Sequence, residues 1–337
     1  MKLNTNYLGL NLRSPIVPSA SPLSETIDNI RAMEDYGAGA VVIYSLFEEQ
    51  IEHESNELDH YLSTGTDSFS ESQSFFPDMD SYLTGPDQYL NQIRRASAAV
   101  DIPIIASLNG ATPGGWTNYA QKMEEAGASA IELNLYFIPT NPEISASEIE
   151  KQYLAVVRLV RSAVSIPVAV KISPYLTATA HFCQELCKAG ASGIVLFNRF
   201  YQPDINIESL EVQPRLHLSS SEALRLPLRW IALLYGRIPA DLALTSGVHT
   251  YQDAIKGIMA GASVVMMASE LLQHGMIRIQ EIQESMNQWL DDNNYDSVEQ
   301  MQGSMSQIHV SDPTAFERAN YMRVLKSWRD DPTGAIL

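Results

Sequence analysis

Cysteine is almost missing from this 337-residue chain, which has two, so no disulfide framework supports the fold. Both lie in "HFCQELCKAG" as Cys183 and Cys187, four apart and therefore on one face of the expected helix, with His181 nearby. A zinc site needs three or four converging ligands, so two half-buried structural thiols are the expectation and no metal is assigned. Positive charge is scarce as well: 22 Lys and Arg stand against 40 Asp and Glu, a formal net charge of −18. That excess repels phosphate backbones and anionic lipid, which argues against nucleic-acid and membrane-surface partners. No apolar run is long enough to cross a bilayer. The start, "MKLNTNYLGLNL", has neither an apolar h-region nor a small-residue cleavage site, so a cytoplasmic location is expected. The Gly-rich "NGATPGGW" (109–116) lacks a Walker lysine and reads as a loop making room near a ligand.

Apolar residues are plentiful at 45%, enough to bury a sizeable core. The strongest organising signal is a repeated phrase. "YGAGAVVIYS" (36–45), "EAGASAIELNL" (125–135), "KAGASGIVLFN" (188–198) and "AGASVVMMAS" (260–269) each close an amphipathic helix at a glycine and then start a short apolar strand. Glycine just past a helix end permits the left-handed turn. An uninterrupted apolar run fits a strand buried on both faces. Between these phrases lie "SPIVPSAS" (14–21), "IPIIASLNG" (102–110), "IPVAVKISP" (166–174) and "DLALTSGV" (241–248), also strand-like. Eight strands alternating with helices predict an α/β fold, a (β/α)8 TIM barrel. A doubly wound sheet is the alternative, weakened because no G-x-G-x-x-G follows the first strand. The expected organisation is a barrel over 1–300, an acidic insertion after strand two at 48–85, and a helical tail over 301–337.

Chemistry in such a barrel sits where the strands end. Those ends read Ala20 and Ser21, Tyr44 and Ser45, Ser107 and Asn109, Asn134, Lys171, Asn198, Ser246 and Gly247, and Ala268 and Ser269. The set is rich in amides and hydroxyls, contains one lysine and lacks a carboxylate pair, which leaves glycosidase or metal-hydrolase chemistry little to use. Backbone N–H groups at the last two turns can converge on one phosphate, helped by the helices that follow.

This ordered set resembles the FMN barrels of the dihydroorotate dehydrogenase family, from the first strand to about residue 285. The resemblance rests on "PSAS", "ELNL", "VAVKISPY", the Asn198 strand end and "SGVHTYQDAIKGIMAGASVVMMASELL". It implies an oxidoreductase acting on a CH–CH bond, with FMN as cofactor and a link to pyrimidine metabolism. It places Ala20 and Ser21 against the flavin, Lys171 at the pyrimidine edge, Asn134 between flavin and substrate, Asn198 by the substrate, and phosphate at the two final turns. Tyr44, Ser45 and Ser107 join the expected cofactor-binding residues. The expected partners are a small-molecule substrate, an electron-acceptor protein and a second copy of the chain in a homodimer.

The departures fall on the substrate side. A family lysine becomes Tyr44. The base, Cys or Ser in the family, is replaced by Phe137 or Ile138, leaving Tyr136, Thr140 and Ser45 as candidates. Arg199 follows Asn198 where the family has Ser or Thr, and Ser219 to Ser221 stand where it has glycines. A substrate asparagine survives as Asn141. Ten carboxylates and no Lys or Arg occupy Glu48 to Asp80, a composition that disfavours an anionic substrate unless it faces solvent. His53, Glu57 and His60 share a helical face there, though a solvated acidic face is the commoner reading. Asp312 and Pro313 predict a helix start in the tail. The alternative is a barrel that binds FMN or a phosphorylated metabolite and serves electron transfer, or no catalysis at all.

Overall fold

The computed structural model describes residues 2–51, 85–110, 114, 117–199, 202–213 and 216–325. Most of the acidic insertion, including His53, Glu57 and His60, lies outside the described residues. Eight strands form the barrel: β1 (Ile16–Pro18), β2 (Val41–Phe47), β3 (Ile104–Asn109), β4 (Ala130–Asn134), β5 (Val168–Ile172), β6 (Gly193–Leu196), β7 (Asp241–Thr245) and β8 (Val264–Met267). Seven fall inside stretches that the repeated phrase or its intervening apolar runs predict, and β2 overruns its stretch, 36–45, by Leu46 and Phe47. The strands pair in parallel from β2 through β8, and β8 pairs with β1. The seam between β1 and β2 is bridged where Gly39 N–H donates to the Ile16 carbonyl at 2.9 Å. A Cβ on Gly39 would stand 2.0 Å from the Ser14 carbonyl oxygen, so only glycine permits that approach.

Helices cover the outside: α1 (Ile27–Asp35), α2 (Pro86–Ala99), α3 (Thr117–Glu125), α4 (Ala146–Ala163), α5 (Thr179–Lys188), α6 (Arg225–Leu234), α7 (Tyr251–Ala260), α8 (Ser269–His274) and α9 (Arg278–Asp292). Gly37, Gly127, Gly190 and Gly261 close the helices of the repeated phrase with φ of +95°, +102°, +108° and +125°. α4 shows the helical logic in full. Ser145 and Glu148 make a capping box, and Ile149, Tyr153, Val156, Val157 and Val160 form the stripe buried against the sheet. Burying each such side chain stabilises the fold by roughly 1.5–3 kcal/mol.

The barrel has two apolar layers. One lies between strands and helices. The other fills the interior, where Val17, Val42, Ile105, Ala130, Ala169, Val195, Ala243 and Met266 meet Tyr7, Leu8 and Leu12. Those last three come from an antiparallel hairpin, Thr5–Tyr7 with Leu10–Leu12, that plugs the N-terminal end. Among the described residues the interior is thus filled from below, which leaves the strand ends as the open side. The tail docks on α6 and α7, because Gly303, Met305 and Gln307 donate backbone N–H groups to Ile258, Met259 and Ala232. Asp312 caps the turn as its sequence context predicts, accepting from Thr314 N at 3.1 Å. The turn is short, Pro313–Phe316, and the chain extends again at Glu317 because no apolar stripe continues it. No helix among the described residues is long and apolar enough to cross a membrane.

Candidate functional site

Side chains alternate along a strand, so every second residue of the barrel points inward. Climbing each strand, that inner series changes from apolar to polar: Ala130 to Glu132 to Asn134 on β4, Ala169 to Lys171 on β5, and Val17 to Ser19 after β1. The polar tier opens into a cavity of about 550 Å3 at the C-terminal mouth. Its wall brings together Ala20, Ser21, Ser45, Asn134, Tyr136, Lys171, Asn198, Ser246, Gly247, Ala268 and Ser269, residues far apart in sequence. Among the described residues the wall carries Lys171, Arg199 and His217 and no carboxylate.

Lys171 is buried and held. Its ammonium lies 3.3 Å from Glu132 Oε1 and 3.5 Å from Ser19 Oγ. Glu132 Oε2 is buried without a hydrogen-bond partner among the described residues. Next to this pair, Asn134 Nδ2 donates to Ser107 Oγ at 3.2 Å and to Ser45 Oγ at 3.3 Å, and the two hydroxyls are 2.8 Å apart. The amide is thereby oriented, and Asn134 Oδ1 is left buried without a partner among the described residues, in a side chain that lines the cavity. A buried unmet acceptor costs about 1–3 kcal/mol, which a ligand N–H would relieve. Asn198 lines the same space, with Nδ2 3.4 Å from the Lys171 carbonyl.

At the far end, Ser246 and Gly247 turn the chain with φ of +77° and +81°. A Cβ on Gly247 would stand 2.2 Å from Leu224 N. Gly247→Ala is therefore expected to lose about 2–5 kcal/mol in urea unfolding, from the left-handed backbone plus overpacking. A loss below 0.5 kcal/mol would show that this turn is not packed as described. α7 begins only at Tyr251, and Thr250 and Asp253 cap it with each other, so its dipole does not sit at the Gly247 turn. α8 does start at Ser269, directly after β8.

Some expected residues lie elsewhere. Tyr44 turns from the cavity and packs edge-on against Tyr89, centroids 5.1 Å apart, because the β2 register shifts between Val42 and Ser45. Ser107 is fully buried beneath Ser45 and acts on the cavity through it. Thr140 is exposed and absent from the wall, as are Phe137 and Ile138. Tyr153, pushed up to about 12 by burial, hydrogen-bonds the Phe137 backbone and ties this loop to α4. Burial pushes the Cys183 thiol up to about 12 and raises Cys187 too, so both stay protonated structural groups.

Reading from the sequence missed Glu132, which shares the inward parity of Asn134 in "IELN" and was detectable on that ground. It singled out Ser219 only as standing where the family has glycine, and missed that it joins buried His249 and Glu270 in a hydrogen-bonded chain, for which the sequence holds no signal: their separations are 30 and 21 residues.

Comparisons with known proteins agree with this geometry. A sequence model of the dihydroorotate dehydrogenase family matches residues 2–290. A Thermoplasma acidophilum protein named dihydroorotate dehydrogenase B (NAD(+)), catalytic subunit, is 26% identical over 310 residues, 89% of this chain and 98% of that one. An Aeropyrum pernix protein assigned to dihydroorotate dehydrogenase A (fumarate) is 30% identical over 197 residues, covering 56% of this chain and 63% of its own. The Escherichia coli NAD-dependent dihydropyrimidine dehydrogenase subunit is 22% identical over 317 residues, 89% of this chain and 76% of that one.

Proposed function

The chain belongs to the dihydroorotate dehydrogenase family, and from that premise we propose that it is an FMN-dependent oxidoreductase acting on a CH–CH bond of a small molecule. The observation that carries the reading is the juxtaposition of a buried ammonium, Lys171, with an oriented amide whose acceptor is unmet, Asn134, inside one cavity. A flavin ring edge offers both an N–H for Asn134 Oδ1 and delocalised negative charge for Lys171. The cavity volume lies in the range of cofactor sites, and the wall without carboxylates suits a phosphorylated ligand.

When bound, FMN supplies hydride acceptance from a substrate carbon. The residues supply the setting. Lys171, steadied by Glu132, places positive charge where negative charge develops, in a site screened from water. Ser45 and Ser107 fix the Asn134 amide, and Asn198 orients substrate from the neighbouring strand. The turn at Ser246 and Gly247 and the start of α8 receive the phosphate. Tyr136 lines the cavity, but a phenol is a weak base at neutral pH, and the one imidazole in the wall among the described residues is exposed His217. The relatives' names, one a catalytic subunit and one a subunit, support a second protein as electron acceptor.

Protein expressed with ample riboflavin is expected to purify yellow, and colourless protein to bind added FMN at micromolar concentration or below. Absence of flavin absorbance together with no FMN binding at that concentration would refute the assignment and favour a non-catalytic barrel.

A further inference from the structure

No glycine occurs from Arg199 to Tyr235, and Ser219 occupies the phosphate end of the cavity. Ser219 is 7% exposed. Its N–H donates to Ser269 Oγ at 3.0 Å, tying the connection to the start of α8. Its hydroxyl lies 3.1 Å from His249 Nε2, and His249 Nδ1 lies 2.9 Å from Glu270 Oε2. Glu270 is 3% exposed and also meets Arg278 Nε at 2.5 Å and His274 Nδ1 at 3.0 Å. Burial pushes its carboxyl up, but hydrogen bonds from Arg278, His249 and His274 prevail and hold it below the usual carboxylate range. Among the described residues, Asp253 of α7 also accepts from the His249 backbone N–H at 3.2 Å, and exposed His217, two residues before Ser219, lines the same cavity.

This chain of groups has two hydrogen-bond states. With His249 neutral, Nδ1–H donates to Glu270 and the bare Nε2 accepts the Ser219 proton. The serine then shows the cavity only lone pairs, which repel a phosphate oxygen. With His249 protonated, both ring nitrogens donate. Nε2–H fills a serine lone pair, and the hydroxyl proton turns outward to donate.

We propose that a bound phosphate monoester selects the second state, so that Ser219 is a phosphate ligand and His249 takes one proton from solvent on binding. Glu270, anchored by Arg278, is the positioning residue that carries the imidazolium. The inference rests on the reading of this cavity end as the FMN phosphate site. Its sign is definite. The complex holds the proton more tightly than the free protein, so affinity is full at low pH and is lost as pH rises through the titration of the complex. Above pH 7 the ligand's own second ionisation, near 6, is complete and adds nothing.

Calorimetric titration of FMN at pH 7.5 in Tris and in HEPES reads the proton count, with riboflavin as the probe that lacks phosphate. The expected result is about one proton taken up per FMN and none per riboflavin. The FMN dissociation constant should weaken by up to about tenfold per pH unit above 7.5, while that of riboflavin stays flat. Ser219→Ala and His249→Gln should each abolish the uptake and weaken FMN but not riboflavin, an outcome loss of fold would not produce. FMN binding without proton uptake, uptake persisting in both variants, or equal affinity for FMN and riboflavin overturns the inference and leaves a flavin site standing. Failure of both ligands to bind the wild-type protein overturns the inference and the FMN assignment together.

Discussion

Lys171→Ala is expected to destabilise the protein by about 3–5 kcal/mol in urea unfolding, because it leaves Glu132 charged and buried without its cation. The double variant Lys171→Met, Glu132→Gln removes both charges and should recover most of that loss, which marks the pair as one unit. If the ammonium also faces the flavin, a second effect follows that no structural ion pair produces. Losing a charge-assisted contact of about 1.5–3 kcal/mol lowers the two-electron potential of bound FMN by about 30–65 mV. Potentiometry on FMN-loaded Lys171→Ala and on the double variant measures this directly. An unchanged potential in both, with the stability loss present, would confine Lys171 to holding Glu132 and remove it from the cofactor's surroundings.

The second large effect concerns dihydroorotate. Phe137 and Ile138 hold no proton acceptor, are absent from the cavity wall and are 36% and 48% exposed. Thr140 is exposed outside the wall, so it cannot move into the role without refolding its loop. Of the two aliphatic hydroxyl candidates, Ser45 is the one that lines the cavity, but its hydrogen-bonded neighbours are Ser107 and Asn134 rather than a base that could activate it. General-base assistance is worth about 10²–10⁴-fold, so reduction of bound flavin by dihydroorotate should be slower than a base-equipped site by that factor. Rapid mixing of FMN-loaded protein with dihydroorotate reads it from flavin bleaching. Fast bleaching at neutral pH that Ser45→Ala abolishes would mean that Ser45 is the base after all. Thr140→Ala should change nothing.

The fold and much of the site were legible along the chain because their signals are local. A glycine, a small residue and an apolar run recur four times, and each stretch needs only its own backbone geometry to declare a helix end and a buried strand. Eight such strands have one common closed solution, and closure gathers Asn134, Lys171, Asn198 and Gly247 at one mouth however far apart they lie in sequence. The partners of those residues were decided only by tertiary structure. Lys171 meets Glu132 across 39 residues, and Asn134 meets Ser45 across 89, through strand register that no local pattern states. Tyr44 left the site because a shift in the β2 ladder turned its ring to Tyr89, a deviation that alternation along a strand cannot foresee. Ser219, His249 and Glu270 come from a connection, a loop and a short helix, and only their packing makes a hydrogen-bonded chain of three ordinary surface-type residues. Periodicity fixes which way a residue faces within its own element; what it faces is set by how the elements pack.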